Sequence, residues 1–396
     1  NSIANTGIVD LFNTSIIKNV TKNNSKELIE IFTFLYKKNS INHNLLFSNV
    51  KKVLIFEEDH LKIENLYKDE TSFFSQNLVN SILKKELFHL VLQKSLITDK
   101  FLEKFLYIVR KEFLFLLKKN QISFIQEHIN FILSIASQSF LNEYIFFQSK
   151  EEISFAETLK NKIEKSKDIN ETEISILACY LPLNQSEILI KKLLDYTSSN
   201  DLFNDIIKIQ IKDILEEKKL KNTIVSIEIT NQVSKKVREQ YEENPYPRWR
   251  NINKISPTNF LIDLNNDIRP NQIFLDKKPI TNNILIAGCG TGQQLAKHIF
   301  YNDSNILAID LSLSSLALAK RKMNELNSKN IEFLHSDILN LKKIKKKFNV
   351  IECIGVLHHL DDPEFGLSIL LDHLEPQGYL KLGLYSELAR KHIVET

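Results

Sequence analysis

Glycine and proline are confined almost wholly to the second part of this 396-residue chain. Of 8 glycines only Gly7 precedes Gly288, and of 8 prolines only Pro182 precedes Pro245. Both residues punctuate regular structure, glycine by admitting positive φ and proline by removing an amide donor. A stretch so poor in them turns seldom, so residues 20–230 are expected to be mostly helix. Tight turns between short elements are expected only after residue 245.

Periodicity points the same way. Phe101, Leu102, Phe105, Leu106, Val109, Phe113, Leu116 and Leu117 recur at three- and four-residue steps. They lay one apolar stripe along a helix that Asp99 can cap. Starts with a short polar residue followed three positions later by Glu or Gln occur at Asn24, Ser123, Ser149, Asn170 and Asn184. No fixed period is present, and neither tetratricopeptide nor ankyrin signatures fit. Residues 1–230 are therefore expected to form an irregular all-α domain.

The pattern changes beyond residue 280. Short apolar runs at 283–287, 305–309, 331–335, 348–354 and 379–385 have the character of strands. Helical stretches are expected from the glycine turn to about Tyr301 and from Ser312 to Leu326. Strands alternating with helices call for an α/β, Rossmann-like domain with a mostly parallel sheet, its ligands beyond the carboxyl ends of the strands.

Between the first strand and its helix lies Gly288-Cys289-Gly290-Thr291-Gly292. A dinucleotide fingerprint would place glycine at 293, where Gln293 stands, and no lysine follows as a P-loop requires. Asp310 ends the second strand, 18 residues past Gly292, where a carboxylate can accept from both ribose hydroxyls. Asp337 follows the third strand, where it can accept from an exocyclic amine while Ile338 lies against a purine face. Glycine turn and two acids on successive strands describe an adenosine site with no provision for phosphates.

Residues 283–385 resemble a class I S-adenosylmethionine-dependent methyltransferase. Ile354-Gly355-Val356-Leu357-His358-His359-Leu360-Asp361-Asp362-Pro363 is similar to the "GVLHHL-DP" exit of the fourth strand in that superfamily. Leu374-Glu375-Pro376-Gln377-Gly378 is similar to its "L-P-G-G" turn, with Gln377 in place of the first glycine. Upstream, the run from Val237 through Tyr241, Glu242, Asn244, Pro245, Tyr246, Pro247 and Arg248 to Trp249 resembles the "VR-QYE-NPYPRW" segment of a bacterial group with helical N-terminal regions. Residues 383–390 resemble that group's "GLYSELAR" stretch.

The resemblance implies S-adenosyl-L-methionine as cofactor and methyl transfer to an unidentified acceptor, a protein or a small molecule. It places Ala287, Gly288, Cys289, Gly290, Gly292, Asp310, Leu311, Asp337, Ile338, Gly355 and Val356 at the cofactor. Residues 231–280 are expected to be a linker and lid, and residues 281–396 the methyltransferase domain. Tyr241, Tyr246, Arg248 and Trp249 would cover cofactor and acceptor, or else pack the linker. His358, His359 and Tyr246 are the candidates for catalysis; the alternative for the histidines is shaping the loop beside the cofactor's sulfur. The fourth-strand exit lacks the Asp/Asn-Pro-Pro-Tyr tetrad of many enzymes that methylate planar amino groups. The chain stops at Thr396, so the last strands of such a sheet are expected to be missing or supplied otherwise, and Asn1 stands where an initiator Met would.

Charge narrows the partners. Residues 231–396 carry 22 Lys/Arg against 19 Asp/Glu, and the rest is balanced, so neither part has the basic excess of a dedicated nucleic-acid binder. Lys342, Lys343, Lys345, Lys346 and Lys347 are expected to be a solvated face. Cys179, Cys289 and Cys353 offer neither a disulfide framework nor a zinc pattern, and a reducing cytoplasm is expected. No metal site is expected. The apolar stretch from Ile129 to Leu141 is too short to span a bilayer, and Asn1-Ser2-Ile3-Ala4 does not open a signal peptide, so no membrane partner is expected. Two other readings stay open: a helical protein-interaction module carrying an inactive or regulatory cofactor domain, and an RNA methyltransferase.

Overall fold

Asp99 accepts hydrogen bonds from the Phe101 and Leu102 amides at 3.1 and 3.2 Å, and the helix Lys100–Lys118 runs on from that cap. Its apolar stripe is buried at Leu102, Phe105, Leu106, Val109 and Phe113. The computed structural model describes residues 17, 20–67, 74, 77–243, 245–252, 258–273, 281–386 and 388–389. Asn244, Glu387 and Arg390 of the two upstream and downstream resemblance segments lie outside the described residues. The chain forms two units, Asn1–Ile214 with Trp249–Lys254, and Leu215–Arg248 with Ile255–Thr396.

Among the described residues of the first unit the regular elements are all helices. At its centre Ile129–Leu141 is buried on nearly every side. Phe88 meets Phe131 edge to face at 5.5 Å, and Gln138 spends its whole amide on backbone, accepting from Ile97 and donating to Leu92 and Ser95. That satisfaction is what lets a polar side chain sit in the core. Among the described residues no helix is long and apolar enough to cross a membrane. Of the box-like starts, Ser149 and Glu152 close a reciprocal box and Asn170 caps its helix through the Glu173 amide. The others do not form: Ser25 and Ser186 occupy the positions expected of Asn24 and Asn184, and the helix near Ser123 begins at Ile122.

The second unit is built on a parallel sheet of six strands among the described residues. These are β1 (Val225–Ser226), β2 (Asn282–Ala287), β3 (Ser304–Asp310), β4 (Ile331–His335), β5 (Phe348–Ile354) and β6 (Leu374–Gly383), in the order β1-β4-β3-β2-β5-β6. From β2 the chain moves outward to β3 and β4, then returns to place β5 on the other side of β2. The crevice at this switch point is where an open α/β sheet binds ligand. The strands are apolar on both faces. Leu285, Leu307, Ile309, Phe348 and Ile351 enter one core together with Ile369 and Leu370, while Ile284, Ile286, Ile306 and Val350 are equally buried at the alternate positions.

Three features depart from the sequence reading. The helix after the glycine turn covers only Leu295–His298, because Phe300 and Asn302 bond the backbone of Thr258 and draw the chain into a bridge at Tyr301. β1 falls in a stretch expected to be helical; Val225 and Ser226 pair with Leu334 and His335. Gln377, in place of a glycine, adopts φ 63° beside an irregularity in the β5–β6 register, a conformation that favours glycine.

Candidate functional site

The carboxyl ends of β2, β3, β4 and β5 open into one cleft, and the helix Gln232–Glu243 forms its opposite wall. Gly288 and Gly290 come from the turn after β2, Asp310 and Leu311 from the end of β3, Asp337 and Ile338 from beyond β4, and Gly355 and Val356 from beyond β5. Tyr241, Tyr246 and His359 complete the rim. Eleven of the residues singled out in the sequence are thus brought together.

The turn after β2 shows why glycine is needed there. Gly290 has φ 52°, and a Cβ at this position would meet no described atom within 4 Å, so its open side is the cleft. Gly292, at φ 84°, faces away, and a Cβ would approach Ala319 Cβ to 2.7 Å. Gly292 thereby serves helix packing, the task that the dinucleotide pattern gives its third glycine. Ala287 and Cys289 are buried beneath the turn, and the Cys289 thiol is pushed well up by burial and by Asp310.

Asp310 holds the turn in place. Its Oδ2 accepts from the Gly290 amide at 2.8 Å and its Oδ1 from the Ser312 amide at 2.9 Å. Burial raises its carboxyl above the usual range, with the Ser312 and Gly290 amides and His335 pulling the other way. Each carboxylate oxygen retains a second lone-pair direction for a ligand hydroxyl. Asp337 is different. Its Oδ1 accepts from the Leu339 amide at 2.9 Å and caps the short helix Ile338–Lys343. Its Oδ2 is buried and meets no hydrogen-bond partner among the described residues. The residue is only 1% exposed. Buried oxygens of this kind call for a donor from outside the chain.

Ser234, which the sequence reading did not single out, lines the same cleft with a buried hydroxyl that also has no partner among the described residues. Ser234, Val237 and Tyr241 follow at three- and four-residue steps on one helical face, a signal present in the sequence. Two unspent polar atoms in one apolar crevice fit a nucleoside, whose base offers amine donors and ring acceptors.

The remaining candidates lie elsewhere. Arg248 pairs with Glu217 at 3.3 Å, and Glu217 also takes Arg321 Nε at 3.0 Å. Trp249 is buried and groups with the helical unit. His358 does not line the cleft; its ring lies 4.0 Å from that of Tyr385 and 4.3 Å from that of His359. His359 faces the edge of Tyr241 at 6.5 Å. Burial, then Tyr385 and Asp310, raise the Tyr241 hydroxyl above its ordinary pKa. Among the described residues no group of His, Cys, Asp and Glu is arranged to hold a metal.

The family match falls on this unit. Residues 285–380 match the sequence model of a family described as a methyltransferase domain. A stretch of 112 residues is 38% identical to an uncharacterized protein of Synechococcus sp., covering 28% of this chain and 27% of that protein. A ubiquinone biosynthesis O-methyltransferase of Coxiella burnetii is 27% identical over 135 residues, 33% of this chain and 54% of its own. Among solved structures, PKMT2 from Rickettsia typhi in complex with AdoHcy is 31% identical over 25% of this chain and 20% of its own, with a TM-score of 0.23. The chain spans between about a quarter and about half the length of these curated relatives.

Proposed function

We propose that this chain transfers a methyl group from S-adenosylmethionine to an acceptor, a protein or a small molecule, admitted at the Tyr241, Tyr246 and His359 rim. Residues 285–380 match a methyltransferase domain, and S-adenosylmethionine is the cofactor that this reading seats in the cleft. The observation that carries the proposal is the pair of acids lining one cleft, Asp310 bonded to the glycine turn from the end of β3 and Asp337 with one oxygen unspent.

In this reading Asp310 accepts from the ribose hydroxyls through its remaining lone pairs. Asp337 Oδ2 accepts from the adenine amine, and Ile338 lies against the base. Gly290 lets the backbone approach the ligand where a side chain would intrude. When bound, the cofactor supplies an activated sulfonium methyl, so the protein's part is alignment more than activation. Gly355 and Val356 form the floor beneath the acceptor, and Tyr241, Tyr246 and His359 exclude water around it. Of the two histidines His359 is the one at the rim, and it is the residue we assign to take a proton where the acceptor arrives protonated. Cys179, Cys289 and Cys353 are buried free thiols, which suits a reducing cytoplasm.

The test has two parts. Calorimetric titration of the full chain with S-adenosylhomocysteine should give saturable one-site binding; no heat would leave the interaction-module reading in its place. Incubation with methyl-labelled cofactor and cell extract should then move label into the protein or small-molecule fraction. Label found only in RNA would overturn the acceptor assignment.

A further inference from the structure

Glu242 belongs to the helix whose Ser234, Val237 and Tyr241 line the cleft, yet it does not line the cleft itself. Its carboxylate is spent on the start of the helix Leu313–Glu325, which follows Asp310. Oε2 accepts from the Ser314 amide at 2.9 Å, and Oε1 from the Ser314 hydroxyl at 2.8 Å and from Lys221 Nζ at 2.7 Å. The buried Ser312 joins this group to the cleft. Its hydroxyl donates to the Tyr241 carbonyl at 2.9 Å with Glu242 Oε2 at 3.2 Å as second acceptor, while its amide donates to Asp310. Asp310 in turn holds Gly290. A continuous run of bonds therefore leads from Glu242 through Ser312 and Asp310 to the glycine turn.

Chemistry suits Glu242 to anchor that run. A helix N-terminus presents unspent amides and a partial positive charge, which an anion satisfies. Burial pushes the Glu242 carboxyl up, but Lys221 and Ser314 outweigh it and leave the group below its ordinary pKa, hence anionic at neutral pH. The same contact fixes the last turn of the wall helix, where Tyr241 stands at the rim.

We propose that Glu242 is a positioning residue for the cofactor: by holding Ser312 and the Tyr241 backbone it sets Asp310 and the wall helix in register for binding. This rests on the S-adenosylmethionine reading above. The bland alternative is a staple that serves stability alone.

S-adenosylhomocysteine titrations and thermal unfolding of the full chain separate the two. Glu242→Gln keeps the shape and loses the charge, and should weaken binding about tenfold with a melting temperature within a few degrees of the parent. Ser312→Ala should weaken binding comparably. Because both break one run of bonds, the double variant should bind no worse than the weaker-binding single. Additive losses overturn the proposal, as does native affinity in Glu242→Gln, with or without a fall in melting temperature. Should Glu242→Gln not fold, Ser314→Ala removes the hydroxyl that Glu242 and Lys221 share but keeps the Glu242 charge, and must itself weaken binding; native affinity there overturns the proposal as well. If the parent chain binds no S-adenosylhomocysteine, the cofactor reading falls first and this one with it.

Discussion

Replacing Asp337 by asparagine changes one atom at the point where the base is expected to be read. Oδ1 can keep its bond to the Leu339 amide as the amide oxygen, so the cap of Ile338–Lys343 survives. Oδ2 becomes an NH2 group in a buried position that now has no partner among the described residues. The unliganded protein therefore exchanges one unsatisfied buried polar atom for another and should melt at about the same temperature. Binding moves the other way. A hydrogen bond from the adenine amine to a carboxylate contributes about 1.5–3 kcal/mol, and the variant sets donor against donor. That predicts roughly 10- to 150-fold weaker binding of S-adenosylhomocysteine. The 6-oxo analogue, which carries an acceptor at that position, should show the reverse preference, binding the Asp337→Asn protein more tightly than the parent. Calorimetric titration of both ligands into both proteins reads all four affinities. Equal affinity of parent and variant for both ligands would refute the placement of the base at Asp337.

Three further outcomes follow from the same geometry. Gly290→Ala should fold with a cost of about 1 kcal/mol, since its φ is strained but its space is open, and should bind cofactor poorly; Gly292→Ala, driven into Ala319, should lose about 2–4 kcal/mol in denaturant melts. Ser234→Ala should leave the melting temperature unchanged and weaken S-adenosylhomocysteine about two- to tenfold, an effect absent if its hydroxyl meets no ligand. In the helical unit, burial and then Lys94 hold the His43 imidazole down at about 4, and burial also lowers His89 and His128. The unfolded chain binds these protons first, so stability falls as pH drops from 6.5 toward 4, by up to about 3 kcal/mol for His43 alone. His43→Phe should flatten the pH dependence of thermal unfolding in that window, and an unchanged slope would contradict it.

What the sequence disclosed depended on how local each constraint is. That the glycine turn, Asp310 and Asp337 share one crevice was legible because a strand end fixes where its next residue lies, and three strand ends meet there. Ser149 closed its box with Glu152, whereas Asn24 turns its side chain back to the Thr21 amide and Ser186, two residues past Asn184, caps the helix expected there. Arg248 was expected either to cover the ligand or to pack the linker, and its partner Glu217, 31 residues away in sequence, leaves no spacing signal that would decide between them. The two-residue β1 is too brief to alternate, and only its pairing with β4 makes it a strand. Ser234 was missed for a different reason: an unsatisfied hydroxyl is a property of surroundings, not of residue type.

One wall of the cleft is encoded about forty residues before the first of the four strands that open into it. The Gln232–Glu243 helix precedes β2, and β1 precedes even that helix. A fragment cut to residues 285–380, the extent of the family match, would retain the glycine turn and both acids. It would also begin inside β2, surrender Ser234, Val237 and Tyr241, and leave Asp310 and Asp337 facing bulk water. In a dielectric that high the same carboxylates would discriminate little between a ligand donor and solvent. Recombinant excision at the recognisable boundary would therefore yield a sheet that has the signature but not the grip.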